Sequence, residues 1–283
     1  MGRFYVEHGE RYFRCTSGIA TMTWDGTFHI AAQAVMAHRA LTGRPLGGLA
    51  MVWVGSISFS LLPVLLGAAV GPFSADVQWS ILLNQVFPGW VFTLTAPALS
   101  RRARTGGPRQ SGAGRAASAL VAACHVSLIL AHLVRVMVLH GSQAQAAEAW
   151  ALRVEPVLVQ DKQGFLLVQA LQWFVWCSPL HVAFATERAY HAATGNRSDG
   201  ALFSLEPALV LVMLGAYVQG EAVHCLTGAL QWDYFDLGRR DPPAPASFWV
   251  VNATIVAIAT GIAMEAHAAG ADNGAGGKQQ HVE

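Results

Sequence analysis

Runs of about 20 mostly apolar residues recur along this chain, and a run of that length is what a helix needs to cross the hydrocarbon core of a bilayer. They lie near 18–40, 47–71, 79–99, 117–140, 164–186, 204–230 and 247–268. Lipid offers no partner to an unpaired peptide group, and the runs are too long and uniform for barrel strands, so each is expected to be a helix. The expected fold class is all-α: a polytopic membrane protein of about seven transmembrane helices. Composition agrees, because only 12% of the 283 residues are charged, against roughly a quarter in soluble domains.

Several function classes fall away at once. A net charge of +1 with lysine only at Lys162 and Lys278 provides no basic surface, so no nucleic-acid partner is expected. Cys15, Cys124, Cys177 and Cys225 have no paired spacing, and three lie in apolar runs where a thiol behaves as a small hydrophobe; no disulfide framework, metal site or cofactor is expected. The polar stretch MGRFYVEHGERYFR is too long for the charged lead of a signal peptide, so insertion is expected to rely on the first internal run. None of the apolar runs contains a lysine for a retinal Schiff base, and no charge rings or filter loops suggest a channel.

Orientation follows from the loops, since short Arg-rich loops stay cytoplasmic. The segment SRRARTGGPRQSGAGR carries Arg101, Arg102, Arg104, Arg109 and Arg115 and is expected on that side. Alternating crossings then place Arg39 with Arg44, Arg188 with Arg197, and the C-terminus there too. The N-terminus and the segments around Asp76, Glu155 and Asp236 are expected on the lumenal or exterior side.

The informative residues are those that are costly to bury. A charge at mid-bilayer costs at least a few kcal/mol and usually faces a bundle interior. In the first run, Asp25, His29 and Gln33 recur every four residues, on one face of a helix, with Trp24 beside them. A carboxylate orienting a histidine serves proton transfer or hydrogen bonding to a ligand hydroxyl; the competing reading is a network that only joins helices. A second cluster, Gln219, Glu221 and His224, stands in the sixth run. Asn84, Gln85, Gln169, Gln172 and Asn252 are residues that commonly mark helix contacts. His125 and His132 read as packing or interfacial residues, with Arg135 extending its stem toward the interface. A weak internal repeat pairs Glu10 with Glu155 and Asn84 with Asn252.

FYVEHGERYFRCTSGIATMTWDGTFHI followed by MVWVGSISFS resembles the transmembrane 6 superfamily, in which a Trp-Asp-Gly-x-x-His helix precedes a Trp-Val-Gly-Ser helix. Glu155-Pro156 before Asp161, the spacing of Gln169 and Pro179, QGEAVH around Gln219 and His224, and the Asn252 helix extend the likeness over nearly the whole chain. The resemblance implies tandem EXPERA modules, four-helix units shared with emopamil-binding sterol isomerases and the sigma-2 receptor. It divides the chain into a shortened first module at 1–105, an Arg/Gly-rich linker at 106–116, a second module at 117–268 and a disordered tail at 269–283. Full-length members are longer, and this chain is expected to lack their first three helices, which leaves the N-terminus lumenal as the charge rule does. Implied with the family are the endoplasmic reticulum or its export compartment, triglyceride and cholesterol metabolism, and lipoprotein lipidation. Expected partners are membrane lipids or sterols and other lipid-handling proteins of that compartment.

The chain also departs from the family pattern. Glu10 is followed by Arg11 rather than proline, and the tail lacks a dilysine signal. The sterol isomerases carry a glutamate four residues after the histidine; here that position is Gln33, which cannot exchange a proton near neutral pH. The expectation is therefore a lipid-binding protein, with Trp24, Asp25, His29, Gln33, Gln169, Gln219, Glu221, His224 and Asn252 as ligand contacts. The alternative is a sterol double-bond isomerase using His29 with Asp25 or Glu221, and a third reading is a structural scaffold for other membrane proteins.

Overall fold

A computed structural model describes residues 16–70, 88–97, 112–141, 143–156, 158, 177–195, 205–230 and 244–276. Among these the apolar runs are helical and no strand occurs. Helix α1 starts at Thr16–Trp24, passes through a π-helical turn at Asp25–His29 and continues over Ile30–Leu41. Gly43 then adopts a left-handed φ of 66°, the conformation that closes a helix most cheaply when no Cβ is present. Next come α2, Gly48–Val70, and α3, residues 88–97. Helix α4 is Gly112–Leu139 and α5 is Gln145–Arg153. Helix α6 is Ser178–Thr194, opened by Pro179 in its first turn and closed by left-handed Gly195. Pro207 sits in the first turn of α7, Glu206–Leu230, and Pro245 precedes α8, Ala246–Gly276.

Helix α4 turns its polar side chains inward, alongside Val121, Leu128 and Val138, and exposes leucine and valine, unlike a helix in water. Ser118, His125, His132 and Arg135 are buried, while Leu120, Val126, Leu130 and Leu133 are exposed. That arrangement suits a bundle whose solvent is hydrocarbon. Three helices among the described residues are long and apolar enough to cross a membrane: Gly112–Leu139, Glu206–Leu226 and Ala246–Ala266. Helix α2 has 23 residues, none of them charged, at the position of the second expected crossing. The chain is a polytopic helical membrane protein. The expected count of seven draws partly on 71–87 and 159–176, which lie outside the described residues.

Helix directions follow from side-chain pairs. Asp25 meets Ser60 while His29 meets Ser56, so α1 and α2 are antiparallel. His125 meets His181 and Arg115 meets Ala192, so α4 and α6 are antiparallel. Val52 lies at Gly215 and Ser56 at Gln219, so α2 and α7 run parallel. His132 pairs with Tyr217 and Arg135 with Glu221, so α4 is parallel to α7 as well.

The tightest crossing is α2 on α7. A Cβ built at Gly55 would fall 1.8 Å from the Val212 carbonyl oxygen, and one at Gly215 would fall 1.9 Å from that of Val52. Glycine is required at both places because backbone meets backbone, and small residues at such contacts are how helices associate in lipid, where the hydrophobic effect does not drive them together. Met51 and Trp53 of α2 and Ala208 and Met213 of α7 are buried.

Two details differ from expectation. Helix α4 begins at Gly112 rather than near 117, because Arg115 in its first turn donates to the last carbonyls of α6, Ala192 at 2.7 Å and Ala193 at 2.9 Å. Helix α8 continues to Gly276, past position 269 where the tail is expected to start.

Candidate functional site

The Trp-Asp-Gly-x-x-His motif coincides with the π turn of α1. Such turns are rare inside α-helices and are frequent at functional sites. The turn sets the His29 ring over Asp25, with Nδ1 3.2 Å from Oδ1. On its other side His29 Nε2 is 2.9 Å from Ser56 Oγ. Ser56 donates to Gln219 Oε1 at 2.6 Å, Gln219 Nε2 donates to Ser60, and Ser60 donates back to Asp25 Oδ1 at 3.0 Å. The result is a closed hydrogen-bonded ring, Asp25–His29–Ser56–Gln219–Ser60, drawn from α1, α2 and α7. Trp24 Nε1 also donates to Ser56 at 3.0 Å, and Trp24 stacks on Phe28 with centroids 4.8 Å apart. The glycine crossing supplies the register: Gly55 precedes Ser56, and Gln219 lies one turn beyond Gly215.

The ring holds a proton that has two places to sit. Ser56 has a single hydroxyl proton. With Gln219 oriented as described, that proton goes to Oε1, so His29 Nε2 carries a proton and donates to Ser56, and the proton between His29 Nδ1 and Asp25 Oδ1 sits on either atom. Rotating the Gln219 amide by 180° lets Ser56 donate to a neutral His29 and turns Ser60 toward the amide oxygen, which leaves a proton on Asp25. Asp25 is also the member that reaches the bundle surface, with 37% of its side chain exposed. Next to it a Cβ at Gly26 would meet no atom within 4 Å.

The expected site residues divide into several groups. Trp24, Asp25, His29 and Gln219 come together in the ring. Gln33 does not join them: the buried line of α1 continues through Ala32 and Met36, three and seven residues after His29, and leaves Gln33 exposed. Glu221, His224 and Asn252 belong to a second cluster. There Arg135 donates to Glu155 from Nε and Nη2 at 2.9 and 2.6 Å, to Glu221 from Nη1 and Nη2 at 2.6 and 3.1 Å, and to Asn252 Oδ1 at 2.9 Å. Trp150 donates to Glu155 at 2.6 Å, and His224 Nε2 lies 3.3 Å from it. Glu221 therefore stands with Arg135, not with His29. Gln169, Gln172, Asn84, Gln85 and Glu10 lie outside the described residues.

Arg135 does not extend toward the interface as expected; it is buried, because two carboxylates and an amide satisfy its guanidinium inside the bundle. His125 and His132 are likewise fully buried rather than interfacial. They belong to a chain in which His125 Nδ1 meets His181 Nδ1, His181 Nε2 meets the Tyr217 hydroxyl, and that hydroxyl meets His132 Nε2, each at 2.7 Å. Sequence reasoning passed over Ser56, Ser60, His181 and Tyr217. Ser118, His125 and His132 are spaced by seven, with Arg135 three further on, and that stripe was the available signal.

Outside the membrane-spanning segments, Glu155 has a strongly shifted carboxyl. Burial raises it, but the Arg135 charge and the hydrogen bonds from His224 and Arg135 outweigh burial and hold it well below the usual carboxylate range.

Residues 1–104 match the family model described as "Transmembrane 6 superfamily member 2-like, transmembrane domain", a stretch that contains α1, α2 and α3 and with them four of the five ring residues. This stretch of the chain is similar to the transmembrane domain of that family. Among curated proteins, transmembrane 6 superfamily member 2 of Rattus norvegicus is 32% identical over 90 residues, covering 31% of this chain and 24% of the rat protein. The Homo sapiens protein of the same name is 30% identical over 81 residues, 29% of this chain and 22% of its own length. The match thus spans about a quarter of the curated relatives or less. No solved structure matches the chain.

Proposed function

We propose that this transmembrane 6 superfamily chain is a lipid-handling membrane protein that binds the polar end of a sterol or acyl lipid at the Asp25 ring. The observation that carries the reading is the partly exposed Asp25, tied through His29, Ser56, Gln219 and Ser60 to the bundle interior and flanked by stacked Trp24 and Phe28. A ligand hydroxyl finds a charge-assisted partner there, and its apolar body lies along an apolar helix face. The family's tie to triglyceride and cholesterol metabolism and lipoprotein lipidation in the endoplasmic reticulum is taken over as part of this proposal, as is partnership with other lipid-handling proteins there. Arg39, Arg44, Arg115 and Arg188 lie at one end of the bundle, and by the positive-inside rule that end, with the C-terminus, faces the cytoplasm.

Photoreactive cholesterol and photoreactive diacylglycerol, applied to the protein in membranes, test this. Labelling should map to α1 and α2 and fall severalfold in Asp25→Asn. Labelling that avoids both helices, or is unchanged in Asp25→Asn, would refute the reading.

A second reading, a sterol double-bond isomerase, is favoured by one observation: the ring lets a proton sit on either His29 or Asp25, which supplies the acid–base pair that Gln33 cannot. Glu221 does not enter it, since Arg135 holds that carboxylate. Rescue of a yeast strain lacking its own sterol isomerase, abolished by His29→Ala, would establish catalysis; absence of rescue despite full expression would exclude it.

A further inference from the structure

Gln33 follows His29 by one turn of α1 but stands outside the Asp25 ring, exposed and with no hydrogen-bond partner among the described residues. Its depth follows from the register of α1 on α2. Asp25 meets Ser60 and His29 meets Ser56, so the next turn of this antiparallel pair sets Gln33 level with Val52. Val52 in turn abuts Gly215, which stands next to the midpoint of the membrane-capable stretch Glu206–Leu226. Gln33 therefore lies near mid-bilayer, about 15 Å from either headgroup layer. Exposed hydroxyls elsewhere hide their protons within their own helix: Thr23, Thr27, Ser127 and Thr254 each donate to the carbonyl four residues earlier. The Gln33 amide makes no such bond, and an unpaired amide in hydrocarbon is strongly unfavourable.

The face around Gln33 permits close approach. Beyond the π turn, Ile30, Gln33, Ala37 and Ala40 are spaced three, four and three residues apart, the heptad spacing of a helix seam, and all four are exposed. Ala37 and Ala40 are small, the residue type that lets helix backbones meet in lipid. The buried line of the same helix runs through Ala32 and Met36 on another face, so the seam is left outside the bundle.

We propose that this seam joins two copies of the chain about a twofold axis along the membrane normal, with the two Gln33 amides paired at mid-bilayer. Insertion gives every copy the same orientation, so such an axis brings each residue of the seam opposite its own counterpart at the same depth. An amide is self-complementary, because its NH2 group donates to the carbonyl oxygen of an identical amide. The pair thus satisfies both side chains without a third molecule, and a single polar residue in a seam also fixes its register. A lipid headgroup does not fill this role, since it stays at the interface while Gln33 is at mid-depth. The proposal does not rest on a lipid at the Asp25 ring, which lies two turns away along α1.

Two measurements on the full chain in phosphatidylcholine membranes test the proposal. Subunit counting by single-molecule photobleaching, repeated over a range of protein densities, should show a monomer–dimer equilibrium. Gln33→Leu should weaken the dimer about three- to thirtyfold, the range expected of an interhelical polar pair, and Gln33→Asn should retain most of its strength. Because Gln33 has no partner within its own bundle, both variants are expected to fold. Oxidative cross-linking then reads the geometry. Ala37→Cys should give a covalent dimer well above the level of the unmodified chain, whereas Val35→Cys, on the other side of α1, should not. A monomer at every density would overturn the proposal, and so would a dimer equally strong in Gln33→Leu. Cross-linking from Val35→Cys that matches Ala37→Cys would likewise overturn it, by placing the contact on a different face.

Discussion

Glu155 and Arg135 show how a charge is kept inside an apolar bundle. Every guanidinium nitrogen of Arg135 is used, and Glu155 accepts from both Arg135 and Trp150. Removing one partner leaves a buried charge uncompensated, at a cost of about 3–5 kcal/mol. Arg135→Met should therefore abolish or severely lower the thermal transition in detergent, and Arg135→Met with Glu155→Leu and Glu221→Leu should recover part of the loss. A triple variant no better than the single one would mean that the cluster is not a charge lock. The pH dependence has a definite sign. The ordinary value for Glu155 is 4.5, and the folded carboxyl titrates below it, so folding gains stability from this group above that pH and loses it as pH falls toward the folded value. The melting temperature should stay level through mild acid and drop in strong acid, and Glu155→Gln should flatten that drop.

At the scale of elements, the α2–α7 crossing governs the site. An added methyl at Gly55 or Gly215 strikes backbone, so the helices must part by more than an ångström, which would separate Ser56 and Ser60 from Gln219. Gly55→Ala should cost at least the 1–3 kcal/mol typical of overpacking, about 2 kcal/mol or more. Gly26→Ala, into open space, should be neutral or gain up to about 1 kcal/mol from helix propensity. Equal melting temperatures for the two variants would contradict the crossing as described. Much of this was legible beforehand. Length and apolarity fix helices in lipid, and the spacing of Asp25 and His29 placed them on one face. What could not be read was how faces pair. Gln219 and Glu221 sit two residues apart, so they point to opposite sides of α7, one to α1 and α2 and the other to α4 and α8. Sequence proximity suggested one cluster; helical geometry makes two. His125 and His132 looked like packing residues because their partners, His181 and Tyr217, come from distant helices.

For the whole molecule, the Arg-bearing ends of α1, α4 and α6 gather at one end and the Arg135 cluster lies toward the other. The proposed sidedness makes a simple prediction. A glycosylation acceptor inserted after Gly141 should be modified in microsomes, whereas one inserted after Gly43, and the natural Asn196-Arg197-Ser198 acceptor, should not. The reverse pattern would invert the orientation. The central claim is that the Asp25 ring holds a lipid rather than only joining three helices. Mass spectrometry of lipids that co-purify with the protein tests it most directly, comparing the unmodified chain with Asp25→Asn and His29→Ala at matched thermal stability. A sterol or acyl lipid present in the first and severalfold depleted in both variants is the predicted result. Unchanged lipid content, with only the melting temperature lowered, would contradict it and leave the ring as a structural joint.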